Sequence, residues 1–191
     1  MTSPEAFLVS LGTISAAEIG DRTQLLSLVL AARYRRRLPI IAGIACATLA
    51  NHAAAALIGR WFGDLLQPAR LQMLVGASMI VMALWTLKQD TLDADLASGG
   101  GTGAFVATLT GFFIAEIGDK TQIATVALAA AYRSLIAVVA GTTLGMLAAN
   151  IPVVMLGRAF ADRLPLKAIH YGASFLFLLL GVMFLARAPW R

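Results

Sequence analysis

With one cysteine, Cys46, in 191 residues, the chain has no intramolecular disulfide framework and no thiolate metal centre. Among alanines and isoleucines, Cys46 reads as a small buried hydrophobe. Charge is scarce as well. Only 13% of the residues are Asp, Glu, Lys or Arg, against roughly 25% in an ordinary soluble domain. Together with 59% hydrophobic residues and a mean hydropathy of +0.81, this excludes a large soluble domain with a single anchor. It points to helices that fill most of the length inside a lipid bilayer. The net charge of +5 does not mark a nucleic-acid surface, because the basic residues are scattered over short connections between apolar runs. Membrane orientation accounts for them, and no nucleic-acid partner is expected. No cleavable signal is expected at the start of the chain: Met1 to Ala6 holds Glu5 and no basic residue, so Phe7 onward is expected to remain as a spanning segment.

Against this background, the sequence Glu116-Ile117-Gly118-Asp119-Lys120-Thr121-Gln122 stands out inside an apolar run from about Thr102 to Ala131. It occurs twice: Glu18-Ile19-Gly20-Asp21-Arg22-Thr23-Gln24 lies 98 residues earlier in a run from about Pro4 to Ala32, with one Lys-to-Arg change. Ionised groups in a long apolar segment cost several kcal/mol each unless they face a protein interior or a water-filled cavity. The offset of 98 recurs beyond the motif, relating Gly43 to Gly141, Gly59-Arg60 to Gly157-Arg158, Asp64 to Asp162 and His52 to Asn150. Internal duplication explains that agreement.

Four further apolar segments run from about Leu38 to Gly59, Leu71 to Leu87, Ser134 to Leu156 and Ala168 to Ala186, with Arg60 to Arg70 as a short connection. Small residues dominate the first of these, which suits close helix approach in lipid. The one stretch with linker composition is polar and Gly-rich and separates the halves, giving a first repeat at 1–88, a linker at 89–102 and a second repeat at 103–191. The expected fold is an all-α polytopic membrane protein of six transmembrane helices. Three crossings per half is an odd number, so the halves enter from opposite sides as two inverted three-helix repeats. Outside the motifs, eight basic residues fall on one side (Arg33, Arg35, Arg36, Arg37, Lys88, Arg158, Arg163 and Lys167) and five on the other (Arg60, Arg70, Arg133, Arg187 and Arg191). The positive-inside rule then places the Arg33–Arg37 loop and the linker in the cytoplasm and both termini outside.

In a continuous helix Glu18 and Asp21 share a face, as do Glu116 and Asp119, so four carboxylates are expected to converge where the two motif helices cross. Oxygen-rich sites of this kind suit divalent ions such as Ca²⁺ and Mn²⁺. Thr23, Thr121, Gln24 and Gln122 add neutral oxygens, and Gly20 and Gly118 permit a kink between the acids. Arg22 and Lys120 are the charge partners that neutralise a carboxylate when metal is absent. Crowded carboxylates in low dielectric cannot all stay ionised without a cation, so protons compete with metal for the same oxygens. That competition is the physical basis of an antiporter. Glu18 and Glu116 are assigned as metal ligands and proton acceptors, Asp21 and Asp119 as ligands. His52 and Asn150 are candidate auxiliary groups, each otherwise a packed polar residue.

The paired Glu-x-Gly-Asp-(Lys/Arg)-Thr motif, on the first segment of each half, resembles that of the GDT-type family of cation/proton exchangers. The resemblance covers nearly the whole chain. It implies a cation site at Glu18, Asp21, Glu116 and Asp119 with Thr23 and Thr121 beside them. It also implies export of Mn²⁺, or of Ca²⁺, from the cytoplasm in exchange for protons, with the ion as cargo and no permanent cofactor. Without a long targeting extension, the chain is expected in a bacterial inner membrane. The small-residue faces leave a monomer or a homodimer open. Rival readings are an exporter of a small organic cation or amino acid, and a passive divalent-cation channel. An intramembrane hydrolase lacks an evident substrate pocket, and no enzymatic activity is expected.

Overall fold

The computed structural model describes residues 3–88, 103–132, 134–157 and 165–188. The expected linker at 89–102 lies outside them. Eight helices form among the described residues: α1 (Ser3–Glu18), α2 (Arg22–Tyr34), α3 (Arg37–Leu65), α4 (Pro68–Thr86), α5 (Ala104–Glu116), α6 (Lys120–Tyr132), α7 (Leu135–Leu156) and α8 (Leu166–Ala186). The fold is all-α, and α3, α4, α7 and α8 are each long and apolar enough to cross a membrane. Their outward faces are those of a membrane protein: Ile136 is 83% exposed and Leu38 80%, with Leu84, Phe175 and Leu57 also exposed. The interior, by contrast, contains Glu18, Asp21, Glu116, Asp119 and Lys120. Apolar outside and charged inside is an arrangement that lipid favours and water does not.

Each motif-bearing segment is two helices rather than one. The local sequence explains the break. Gly20 has φ +85° and Gly118 φ +73°, in the left-handed region that only glycine enters at little cost. The next residue begins a new helix: Asp21 is extended and its carboxylate accepts from the Thr23 N–H at 3.4 Å. Asp119 accepts from the Thr121 N–H at 3.5 Å and its hydroxyl at 3.2 Å. Three positions later, Gln24 and Gln122 reach back and accept from the Gly20 and Gly118 N–H groups at 2.9 and 2.8 Å. This is close to a capping box, in which the side chains at either end of the first turn satisfy orphan backbone donors.

The long helices wrap the broken ones. Gly43 of α3 lies against Phe105 and Thr108 of α5, and Gly59 and Gly63 of the same helix against Val126 and Ala130 of α6. Gly141 and Gly145 of α7 lie in the same way against Phe7 and Leu11 of α1. Small residues on α3 and α7 thus bring the motif segments to backbone distance. The remaining helices, α4 and α8, pack on each other. Gly76 sits against Gly181, and the Ser174 hydroxyl donates to the Ala83 carbonyl at 2.8 Å. These two contacts exchange under the offset of 98.

Two expectations need correction. The helix expected to end near Gly59 continues to Leu65, so only Leu66 and Gln67 connect it to α4. Gly59 and Gly63 face α6 there, and an Arg60–Asp64 ion pair at 4.0 Å lies one turn apart on its outer side. Cys46 is exposed, not buried, because it falls on the outer face of α3 while Ala47 and Thr48 turn inward.

Candidate functional site

The two helix breaks meet in the interior. Glu18 closes α1, Asp21 caps α2 and Asp119 caps α6. The three present carboxylate oxygens within 4.8 Å of one another, and all three residues are buried. Like charges so close in low dielectric repel strongly unless cations intervene. Two do, and each comes from the opposite motif. Lys120 pairs with Asp21, while Arg22 reaches Asp119 at 3.1 Å. Along the chain each cation adjoins the aspartate of its own motif. The structure exchanges them, because residues adjacent in the chain diverge around the helix whereas the two breaks face each other.

The expected common helical face of Glu18 and Asp21, and of Glu116 and Asp119, is not formed. The helix ends between them in both copies, and the pairs are held by a turn in which the Asp21 N–H donates to the Glu18 carbonyl at 3.0 Å and that of Asp119 to the Glu116 carbonyl at 3.1 Å. Convergence of four carboxylates is also incomplete. Glu116 is not in the group of three. Its Oε1 accepts from the Thr48 hydroxyl at 2.7 Å and its Oε2 from the Asn51 side-chain amide at 3.3 Å, both on α3.

Of the remaining candidates, Thr23 belongs to the group, donating to Glu18 at 2.6 Å, and Thr121 sits on Asp119. Gln24 and Gln122 spend their oxygens on the glycine N–H groups, and the Gln24 amide donates to the Ala149 carbonyl at 3.1 Å. Both side chains thus tie back to the turns. Asn150 accepts from Ser27 at 2.7 Å and donates to the Met146 carbonyl at 3.1 Å. His52 is fully buried, and neither ring nitrogen has a hydrogen-bond partner among the described residues. Three residues near the site were not selected from the sequence: Thr48, Asn51 and His170, whose imidazole packs over Gly20. The available signal was polar residues one turn apart, Thr48 and Asn51, on an otherwise small and apolar helix.

The profile of the family described as Divalent cation/proton antiporter GDT1 matches residues 6–94 and 104–190, nearly the whole chain. The chain belongs to the GDT1 antiporter family. A Vibrio cholerae serotype O1 protein named "Putative manganese exporter" is 51% identical over 175 residues, covering 91% of this chain and 87% of that protein. A GDT1-like protein of Synechocystis is 30% identical over 203 residues, covering 93% of this chain and 95% of its own length. No solved structure matches significantly. As a GDT1 member the chain is a multi-pass membrane transporter of divalent cations and protons, not an enzyme. Membership sets aside the channel and hydrolase readings. The buried carboxylates supply oxygen ligands of the type such a cation takes.

Proposed function

We propose that the protein exports Mn²⁺ from the cytoplasm in exchange for protons, at a site formed by Glu18, Asp21 and Asp119 with Glu116 nearby. The observation that carries this reading is the group of three buried carboxylates within 4.8 Å of one another, two of them paired with Lys120 and Arg22. Two side-chain cations occupy the place where a divalent cation's charge is required. An arriving ion displaces them and is held by carboxylate oxygens, with Thr23 and Thr121 contributing hydroxyls. The four motif carboxylates and two motif cations carry a formal charge of −2 when all are ionised. One divalent cation or two protons neutralise it equally, so the site exchanges one for the other without stranding charge in low dielectric. Ca²⁺ meets the same oxygen chemistry and is the secondary cargo. The name of the Vibrio cholerae relative favours Mn²⁺.

In this reading the broken pairs α1–α2 and α5–α6 each make one crossing, and the four long helices supply the others, for six in all. Residues 1–88 and 103–191 are inverted repeats joined by a cytoplasmic linker at 89–102, with both termini outside a bacterial inner membrane. Support comes from the reciprocal pairing of Lys120 with Asp21 and Arg22 with Asp119, which the offset of 98 interchanges. The test is reconstitution in liposomes with Mn²⁺, Ca²⁺ and internal pH followed together under imposed proton gradients. An outward proton gradient is expected to drive Mn²⁺ inward with a reciprocal pH change. Metal movement indifferent to the gradient would overturn the exchange.

A further inference from the structure

The two motif glutamates are built alike and held differently. Glu18 makes one side-chain hydrogen bond, from Thr23 at 2.6 Å, and its Oε1 is buried without a hydrogen-bond partner among the described residues. Glu116 has both oxygens engaged, by Thr48 at 2.7 Å and Asn51 at 3.3 Å. The cause is legible in the repeat. At the offset of 98, Thr48 corresponds to Met146 and Asn51 to Ala149, and neither of those side chains carries a donor. On α7 nothing equivalent holds Glu18, and it remains with Asp21 and Asp119.

We propose that Thr48 and Asn51 are positioning residues that hold Glu116 apart from the Glu18–Asp21–Asp119 group, so that the ion is bound by three carboxylates instead of four. The inference rests on the reading of that group as the cargo site. Its logic is that of any transport site: binding must favour entry yet remain weak enough for release. Affinity for a hard divalent ion rises with the number of charged ligands. A fourth carboxylate, drawn in from one turn away, would turn a transit site into a trap. The Asn51 amide also donates to the Phe113 carbonyl at 3.1 Å, which ties this clamp to the last turn of α5, the helix that Glu116 ends.

The test uses the purified full chain in detergent with Mn²⁺ alone as the probe, and Mn²⁺ binding measured by calorimetry. Thr48→Val with Asn51→Leu removes both donors at nearly constant volume. The expected result is an Mn²⁺ Kd lowered by about threefold or more, with the gain abolished when Glu116→Gln is added. In liposomes the same pair of substitutions lowers KM and kcat together, whereas Thr48→Ser keeps the wild-type Kd. A loss of packing alone would weaken binding, so the sign separates the two causes. An unchanged or raised Kd, with binding still abolished by Glu18→Gln, would overturn the positioning role and leave the cargo site standing. Binding that survives Glu18→Gln would overturn both. Should the Val/Leu variant fail to fold, Met146→Thr with Ala149→Asn installs donors on the Glu18 side. It is expected to weaken Mn²⁺ binding, and an unchanged Kd there counts against the proposal.

Discussion

At Gly20 a Cβ would lie 2.7 Å from His170 Nε2 and 3.1 Å from Leu166, whereas at Gly118 it would meet no atom within 4 Å among the described residues. The two breaks share a seven-residue pattern, a positive φ and the same capping bonds, yet one is roofed and the other, with Ile117 and Gly118, is exposed. The difference comes from the last helix of each half. Among the described residues α8 packs on α1, while α4, its counterpart, packs on α6 rather than on α5. Local sequence therefore sets the turn, and the neighbouring helix sets access to it. Duplication gives the protein two copies of a turn, and in this structure they are not equivalent.

The strongest way to break this comparison is to exchange the roles of the glutamates. Glu18→Gln is expected to weaken Mn²⁺ binding by about 100-fold or more, since loss of a group that merely supports a ligand already costs about 10- to 100-fold. Glu116→Gln, outside the group, is expected to cost less than about tenfold on the same scale. Equal losses in a titration would make the two sites equivalent and contradict the geometry.

The cations should differ next. Lys120 and Asp21 are both buried, whereas the Arg22 side chain is 28% exposed beside Asp119. Removing one partner of a buried pair leaves an uncompensated charge and costs about 3–5 kcal/mol, the expectation for Lys120→Met in thermal unfolding in detergent. Arg22→Met also leaves a buried carboxylate, Asp119, without its cation, and is expected to cost less only because the Arg22 end of the pair is partly solvated, about 2–3 kcal/mol. The reverse order would show that Arg22 carries the buried charge balance.

Smaller effects sharpen the contrast at the glycines. Gly118→Ala is expected to cost about 1–2 kcal/mol from the left-handed backbone alone. Gly20→Ala must in addition displace His170 and should be the more destabilising; equal melting shifts would mean that the α8 roof yields freely. Last, Ser27→Ala removes the 2.7 Å bond to Asn150, worth about 1 kcal/mol. Thr125→Val at the counterpart keeps the buried methyl and loses the bond to the carbonyl one turn back, with a smaller expected shift.

Much of this was legible in the sequence, and the illegible part has a physical pattern. The membrane class, the duplication and the acidic motif stand out because apolar length and exact repetition need no tertiary knowledge. The break was signalled by Gly20 and Gly118, and by Asp21 and Asp119 followed three residues later by Gln24 and Gln122, which is the start signal of a helix. The three-residue spacing of Glu18 and Asp21 suited a continuous helix as well, which concealed that signal. The exchange of Lys120 and Arg22 between motifs depends on how the two breaks face each other, which spacing along one chain does not contain. Thr48 and Asn51 acquire meaning only beside Glu116, and then Met146 and Ala149 explain why Glu18 is treated differently.

The most direct test of the central claim is the location of the ion itself. Crystals of the protein soaked in Mn²⁺ should give an anomalous difference peak at the manganese edge. The account predicts one interior peak bonded to Glu18, Asp21 and Asp119, with Lys120 and Arg22 turned away from their aspartates. A peak bonded to Glu116, Thr48 and Asn51 without Glu18, or a protein whose interior binds no Mn²⁺ while transport proceeds, would contradict it.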